Sequence, residues 1–174
     1  MAKRKPKIQD KKRRGEWAEM IFMARAAERG IAISKPWGDS RSFDFVVGRP
    51  RHFVAVQVKS TIYEIDNGYE CTVRGGRECY PPGSFDFLAA YVVFEDLWYI
   101  IPEEKILGMD SVTLNPDYKK SKYAPYREAW HLLLGTDSSG GRIDIQACAE
   151  ELSLPCFDEE NRCEPLITRG DRLQ

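Results

Sequence analysis

The stretch FVAVQVK at residues 53–59 alternates apolar and other side chains along its whole length. Successive side chains of a β-strand point to opposite faces, so the three valines share one face and Ala55, Gln57 and Lys59 share the other. We therefore predict a strand with a buried valine face. Its opposite face presents an amide and an ammonium group two residues apart.

A second β-rich run, residues 42–47, precedes this strand and is separated from it by the turn-like sequence GRPR at 48–51. This arrangement predicts a β-hairpin. Asp44 lies between two phenylalanines in the first strand of the hairpin. An isolated acid in an apolar strand is costly, and a nearby Lys59 or a metal ion would compensate its charge.

Residues 15–30 have the apolar spacing of an amphipathic helix, with Gly30 as its stop. On a helical wheel the predicted apolar face is formed by Trp17, Met20, Met23, Ala24 and Ala27. Glu16 falls within this face and Glu19 at its margin, so one or both should meet a cation or strong hydrogen-bond donors. Alternatively, both are ordinary acids of a solvated first turn, stabilised by the helix dipole.

Four side chains have the chemistry of a single metal-dependent site: a helical glutamate, Asp44, Gln57 and Lys59. Two carboxylates and an amide oxygen suit a hard cation such as Mg²⁺, which prefers oxygen ligands and keeps several waters. An adjacent lysine can help to deprotonate the attacking water and stabilise the charge that develops on phosphorus. The set predicts phosphodiester hydrolysis.

Five short motifs in this order resemble the PD-(D/E)xK nuclease superfamily: GEWAE at 15–19, RG at 29–30, KPWG at 35–38, FDF at 43–45 and VQVKS at 56–60. Within the superfamily, the chain is similar to the small endonuclease branch that resembles group I intron homing endonucleases and archaeal Holliday-junction resolvases. The resemblance covers about residues 11–105, since WYIIP at 98–102 also looks like a later strand of that branch.

The resemblance implies a role for each candidate residue. Asp44 matches the first metal-binding Asp, at the end of the second strand, and Lys59 matches the catalytic lysine. Gln57 stands where Asp or Glu is usual, so it implies an uncharged ligand and a lower metal affinity; the homing endonuclease branch is similar in using Gln there. Glu19 fits the helical acid, with Glu16 as the competing ligand. The implied metal is Mg²⁺, with Mn²⁺ able to substitute.

The resemblance also implies a central mixed sheet of about four or five strands flanked by helices, in the order α-β-β-β-α-β. The sequence is compatible with this mixed α/β (α+β), restriction-endonuclease-like class. It predicts a short helix at 85–90, strands at 91–94 and 97–101, and a helix at 123–134. C-terminal helical additions follow, including one at 143–152.

Charge separates a basic N-terminal segment from an acidic remainder of the chain. Residues 1–14 carry eight Lys or Arg against one acid, which gives +7, whereas the remainder carries −8 within a total of −1. A basic segment that contains Pro6 is expected to form a flexible arm that is attracted to polyanions. We therefore divide the 174 residues into an arm at 1–14, a nuclease-like domain at 15–135 and an acidic extension at 136–174.

The composition, 43% hydrophobic and 30% charged, is that of a globular domain and excludes a collagen-like or wholly disordered chain. No apolar run approaches the roughly 20 residues of a membrane helix, and no signal-peptide core follows the basic start. We expect a cytoplasmic protein with no membrane partner. Reduced thiols are favoured over a zinc site because no CxxC pair occurs among Cys71, Cys79, Cys148, Cys156 and Cys163.

Basic residues concentrate in the arm, in the RGGR turn at 74–77 and in the aromatic-rich run at 118–127. Such residues neutralise phosphates and position a duplex. The alternatives for the last two segments are an ordinary hairpin turn and a solvated approach to a helix. The predicted DNA-binding residues are Lys11, Lys12, Arg13, Arg14, Arg74, Arg77, Lys119, Lys120, Lys122 and Arg127.

These observations predict a Mg²⁺-dependent endodeoxyribonuclease that acts on duplex or branched DNA. Because a duplex has two strands, we expect a homodimer or a higher homo-oligomer. The alternatives are a Holliday-junction resolvase, a non-catalytic DNA-binding module that keeps the nuclease fold, and an interaction protein that docks a partner through its acidic C-terminus.

Overall fold

One α-helix and ten β-strands form the regular structure of the residues that the computed structural model describes, namely 8–38, 41–49, 52–76 and 78–134. The helix, α1, spans Lys11–Ala27. The strands are β1 Ala32–Ser34, β2 Phe45–Arg49, β3 His52–Thr61, β4 Tyr63–Ile65, β5 Gly68–Thr72, β6 Arg74–Gly75, β7 Glu78–Cys79, β8 Phe87–Val92, β9 Leu97–Pro102 and β10 Ser111–Leu114. Short 3-10 helices lie at Glu103–Lys105, Ala124–Tyr126 and Trp130–Leu134. All of these elements belong to the first of the two units into which the chain divides, residues 1–136.

The central sheet is mixed and has five strands in the order β1-β2-β3-β8-β9. Strands β1, β2 and β3 are antiparallel neighbours, β3 and β8 are parallel, and β8 and β9 are antiparallel. The predicted hairpin is confirmed, with Phe45 opposite Val56 and Arg49 opposite His52. Helix α1 packs on β3 and β1. The predicted fold class, a restriction-endonuclease-like mixed sheet, is confirmed.

Strand β8 corrects the prediction of a helix at residues 85–90. Five of its six residues are buried because β8 pairs with β3 and β9 and is covered on both faces. A strand buried on both faces is a continuous apolar run, which periodicity cannot distinguish from a buried helical segment. In the described part of the chain, a strand therefore takes the place of the expected second helix. The strand predicted at 97–101 is confirmed within β9, whereas only the first two residues of the strand predicted at 91–94 belong to β8 and the other two lie in the turn that follows it.

Helix α1 begins four residues earlier than predicted. Asp10 is its N-cap, and the Asp10 carboxylate accepts the Arg13 N–H at 2.8 Å. Lys11 and Arg14, which we assigned to a flexible arm, therefore belong to the first turn. The predicted stop is confirmed: Gly30 has φ +68, and the Ile31 N–H reaches back to the Ala26 carbonyl at 3.0 Å, as in a Schellman motif.

The buried face of α1 matches the predicted face only in part, in that Trp17 and Met23 are half-buried and pack against the core. Its buried residues follow one another at four-residue steps, Arg14, Ala18, Phe22 and Ala26, whereas Met20, Ala24 and Ala27 are exposed. Phe22 stacks on Phe45 and Trp130, with ring centroids 5.4 and 5.5 Å apart, and it also contacts Trp98. The wheel was misleading because these partner rings lie far along the chain and select the face that carries Phe22.

Residues 123–134 do not form the predicted α-helix. Two 3-10 helices occupy this stretch, and between them Arg127 is extended and Glu128 has φ +50. The Glu128 carboxylate accepts the backbone N–H of Trp98 and the indole N–H of Trp130, both at 2.7 Å. These tertiary hydrogen bonds stabilise the break. The helix predicted at 143–152 and the extension at 136–174 lie outside the described residues.

Two of the five cysteines fall within the described residues. Cys71 is buried and Cys79 is half-buried, and both are free thiols, as predicted. Burial raises the pKa of the Cys71 thiol to about 12. Cys148, Cys156 and Cys163 lie outside the described residues. Within the described ranges, no helix is both long and apolar enough to cross a membrane.

The packing of α1 predicts how two substitutions on the same helix differ. Phe22→Ala removes a fully buried ring from the aromatic cluster, so we expect the free energy of unfolding to fall by about 3–5 kcal/mol. Met20→Ala changes a residue that is 55% exposed, and we expect a change within about 0.5 kcal/mol. Urea denaturation followed by circular dichroism measures both. Equal losses would contradict the observed helix face.

Candidate active site

The candidate site begins where strands β2 and β3 stop pairing. Their last facing residues are Phe45 and Val56. One step further, the N–H of Asp44 donates to the carbonyl of Val56 at 2.9 Å. The next N–H on this edge of β3, that of Val58, lies beyond the pairing and donates to Asp44 Oδ2 at 2.7 Å. The end of the β2–β3 pairing thus fixes the Asp44 carboxylate just before β2, rather than at the end of that strand as the family resemblance implied.

Gln57 supplies the second contact to this carboxylate. Its side chain is 7% exposed, and Nε2 donates to Asp44 Oδ2 at 2.7 Å and to the Val58 carbonyl at 3.2 Å. A buried amide held by two hydrogen bonds has little rotational freedom. Asp44 and Gln57 therefore form one rigid polar unit at the end of the β2–β3 pairing.

The pKa of Asp44 is raised from 3.8 to about 6, mainly because burial disfavours the ionised carboxylate. The Val58 N–H lowers this pKa and the nearby charge of Glu19 raises it. The ammonium groups of Lys59 and Lys35 act in the lowering direction but do not offset the burial. The neighbouring cations therefore do not offset the cost of burying the Asp44 carboxylate.

Helix α1 brings Glu19 to the same place. Glu19 lies next to the buried row of the helix, is 22% exposed at its side chain, and its Oε2 accepts from Lys35 Nζ at 2.7 Å. Lys35 also lies 5.6 Å above the ring of Phe45. Glu16, the competing ligand, is exposed and lines a neighbouring cleft that Glu19 and Asp44 also line. Of the two helical acids, Glu19 is the one whose charge acts on the pKa of Asp44.

One cleft of about 520 Å³ brings the four candidate residues together. Lys59 reaches it from the same face of β3 as Gln57, and its Nζ lies 5.4 Å from the centroid of the Tyr80 ring. The residues that line the cleft are Lys11, Arg14, Gly15, Ala18, Glu19, Asp44, Gln57, Val58, Lys59, Ser60, Tyr63, Thr72 and Arg74. Two carboxylates, an amide and a lysine thus share one solvent-accessible space.

The donor set fits a hard divalent cation. Within the described ranges, no three His, Cys, Asp or Glu side chains converge, because the set holds two carboxylates and an amide instead. Both hydrogen bonds that the Asp44 carboxylate accepts there end on Oδ2, which leaves Oδ1 available as a ligand. A cation would also compensate the charge of Asp44 beside Glu19. Oxygen donors of this kind suit Mg²⁺.

A second cleft, of about 450 Å³, adjoins the first and shares Glu19 and Asp44 with it. The cations that line this second cleft but not the first are Lys12, Lys35 and Arg41. The sequence analysis gave no role to Lys35 or Arg41. The motif that contains Lys35 was part of the family resemblance, but its contact with Glu19 depends on the turn after β1, which the sequence pattern does not specify.

The predicted DNA-binding residues are distributed over several clefts. Lys11 and Arg74 line the first cleft and Lys12 lines the second, whereas Arg13 is exposed and lines neither. Arg14 is buried, at 5% exposure. Lys119, Lys120, Lys122 and Arg127 are exposed on the segment after β10, which lines other depressions. Arg77 lies outside the described residues.

Comparison with known proteins agrees with this geometry. The sequence pattern of the PD-(D/E)XK endonuclease family matches residues 9–133. The chain therefore belongs to the PD-(D/E)XK endonuclease family and is a nuclease. Among solved structures it is similar to a bacterial homing endonuclease, I-Ssp6803I, with 30% identity and a TM-score of 0.63 over 73% of this chain and 93% of that one. The comparison with curated proteins gave no match.

The raised pKa of Asp44 predicts a pH-dependent stability of the metal-free protein. Because the folded-state pKa, about 6, lies above the ordinary value of 3.8, the ionised carboxylate is penalised above pH 6 and the penalty fades toward pH 4. In EDTA, we expect Asp44→Asn to be more stable than the wild type at pH 7.5, by about 1–3 kcal/mol. Urea denaturation at pH 7.5 and 4.5 should show the gap closing in acid, and parallel curves would contradict the shift.

Proposed function

We propose that this protein is a Mg²⁺-dependent endodeoxyribonuclease that hydrolyses phosphodiester bonds in DNA. The observation that carries the proposal is the convergence of Glu19, Asp44, Gln57 and Lys59 in one cleft of a PD-(D/E)XK endonuclease. The similar solved structure is described as a homing endonuclease, which supports the same reaction class. The proposal places the reaction in the cytoplasm.

The metal would be held by Glu19, Asp44 and the Oε1 atom of Gln57. When bound, Mg²⁺, or Mn²⁺ in its place, supplies Lewis-acid activation and charge neutralisation at the scissile phosphate. In the structure Gln57 turns Nε2 toward Asp44, so coordination through Oε1 requires a rotation of the amide. Glu19 must also exchange its 2.7 Å contact with Lys35 for the ion. Both rearrangements favour weak, readily reversible metal binding.

Lys59 is the proposed catalytic lysine. It lies two residues after Gln57 on the same strand face, so its ammonium opens into the cleft that holds the carboxylates. There it orients the attacking water and stabilises the negative charge that grows on the phosphate. Its Nζ is held over the Tyr80 ring at 5.4 Å, which restricts the side chain without neutralising its charge.

Substrate binding is proposed to use the cations around the two clefts. Lys11, Lys12 and Arg74 line the walls next to the carboxylates, where they can neutralise the phosphates that flank the scissile bond. The exposed basic segment at 119–127 is proposed as a second contact with DNA, and Arg13 and Arg77 as further contacts. These contacts position duplex or branched DNA and do not define a recognition sequence.

The catalytic proposal predicts a large loss of activity from three substitutions. We expect Asp44→Ala, Lys59→Met and Glu19→Gln each to lower the rate of DNA cleavage with Mg²⁺ or Mn²⁺ by roughly 10²-fold or more, because each removes a ligand or the charge that stabilises the transition state. Glu16→Gln is the matched control for Glu19→Gln and should keep the wild-type rate. Plasmid nicking and the cleavage of labelled duplexes measure these rates.

The same assay separates the alternatives. Full activity of Asp44→Ala or Lys59→Met would end the proposed mechanism. DNA binding by the wild type without cleavage at any Mg²⁺ or Mn²⁺ concentration would favour a non-catalytic module. The uncharged Gln57 is the residue that suggests this alternative. A strong preference for four-way junctions over linear duplex would identify a Holliday-junction resolvase.

Simultaneous cleavage of both strands of a duplex uses two active sites, and the first cleft gives the described part of this chain one set of candidate catalytic residues. We therefore propose that the nuclease acts as a homodimer or a higher homo-oligomer. Light scattering of the full chain with a cleavage-resistant duplex should give a mass of at least two copies per DNA. A strictly monomeric species, free and bound, would contradict this expectation.

A further inference from the structure

Arg14 is a buried cation in the wall of the catalytic cleft. It lies in the first turn of α1, is only 5% exposed, and begins the buried row that continues with Ala18 and Phe22. It lines the same cleft as Glu19 and Asp44. Arginine is almost never fully buried without a partner, so its position calls for a physical explanation.

The partners that Arg14 has within the described residues are weak ones. Its Nη1 donates to the carbonyls of Ile8 and Gln9, each at 3.3 Å, which is near the upper limit of a hydrogen bond. Its Nε is buried without a hydrogen-bond partner. Within the described part of the chain Arg14 forms no ion pair, although Glu19 and Asp44 line the same cleft. A buried guanidinium without a carboxylate is costly to the fold.

We propose that Arg14 is a fixed receptor for a phosphate of the DNA strand that enters this cleft. The inference rests on the proposed function and deepens it. A guanidinium presents its N–H donors in a planar fork that matches two oxygens of a phosphate, which would satisfy the donors that the protein leaves weakly bonded. The two nearby acids have other partners: Glu19 pairs with Lys35, and Asp44 accepts hydrogen bonds from β3. The unfavourable burial is thus compensated only in the DNA complex.

Arg14 differs from the other basic residues near the cleft in its rigidity. Lys11 and Lys12 are exposed, so they can follow a phosphate over several ångströms. Arg14 is enclosed by the helix and by the segment at 8–9, and it presents its charge at one place. A fixed receptor beside the metal ligands aligns the backbone of the substrate with Asp44. Arg14 is therefore a substrate-positioning residue and not a general attraction for DNA.

The test combines stability with the salt dependence of DNA binding. If Arg14 serves the substrate and not the fold, Arg14→Met should leave the Tm unchanged or raise it, because an apolar side chain of similar length replaces an uncompensated charge. With Ca²⁺ in place of Mg²⁺ to prevent cleavage, we expect affinity for a duplex to fall by about tenfold or more. The slope of log K against log salt should become shallower by about 0.9, the value for one phosphate contact.

A chemical variant of the DNA gives a second, independent readout. Neutral methylphosphonates are placed one at a time along the duplex. One position should weaken binding by the wild type and have no further effect on Arg14→Met, because the contact is already absent. Arg29→Met is the matched control: this arginine lies just beyond the opposite end of α1 and pairs with Glu128 at 3.5 Å, so both DNA readouts should stay at wild-type values.

The outcomes are distinct. A large fall in Tm for Arg14→Met, with the salt slope unchanged, would overturn the proposal and identify Arg14 as a structural link to residues 8 and 9. If Arg14→Met does not fold, Arg14→Lys decides: wild-type affinity and kcat/KM would overturn the proposal, and a loss of both with an unchanged salt slope would support it. A wild type that neither binds nor cuts DNA would instead refute the proposed function.

Discussion

The hydrogen bond from the Val58 N–H to Asp44 Oδ2, 2.7 Å long, is the contact on which the site depends. It forms because the pairing of β2 with β3 ends before Val58. The Val58 N–H therefore has no backbone carbonyl of β2 to bond, and the Asp44 carboxylate accepts it instead. The same carboxylate accepts from the buried Gln57 amide. An acid that takes part in the hydrogen bonding between two interior strands is held as rigidly as the sheet itself, and this gives the proposed metal ligand a fixed position.

Helix α1 links the stability of the core to the chemistry of the cleft. Its buried row places Phe22 in the aromatic cluster with Phe45 and Trp98, while Glu19, beside that row, lines the same cleft as Asp44. Because a helix is rigid over this distance, the packing of one ring sets the position of a carboxylate one turn away. Burial also raises the pKa of Asp44 to about 6. The structure thus holds a carboxylate whose burial is not offset by its neighbours at the place where a cation is proposed to bind.

Several parts of this arrangement follow from local sequence. The alternation at 53–59 predicted strand β3 and the shared face of Gln57 and Lys59, because a strand has a side-chain period of two whatever surrounds it. The apolar setting of Asp44 marked it as an acid in need of a partner. The ordered motifs identified the family, and Gly30 ended the helix because a left-handed position suits glycine. Each of these signals lies within a few residues of the feature that it predicts.

Tertiary structure decided the rest, because the interactions responsible join residues that are distant in the chain. The face of α1 was selected by Trp98 and Trp130, strand β8 was formed by its neighbours β3 and β9, and the helix expected at 123–134 was broken by the hydrogen bonds of Glu128. The burial of Arg14 and the position of Glu19 beside the buried row follow from that same helix face. Sequence periodicity shows which residues can share a face, whereas only packing determines which face is covered.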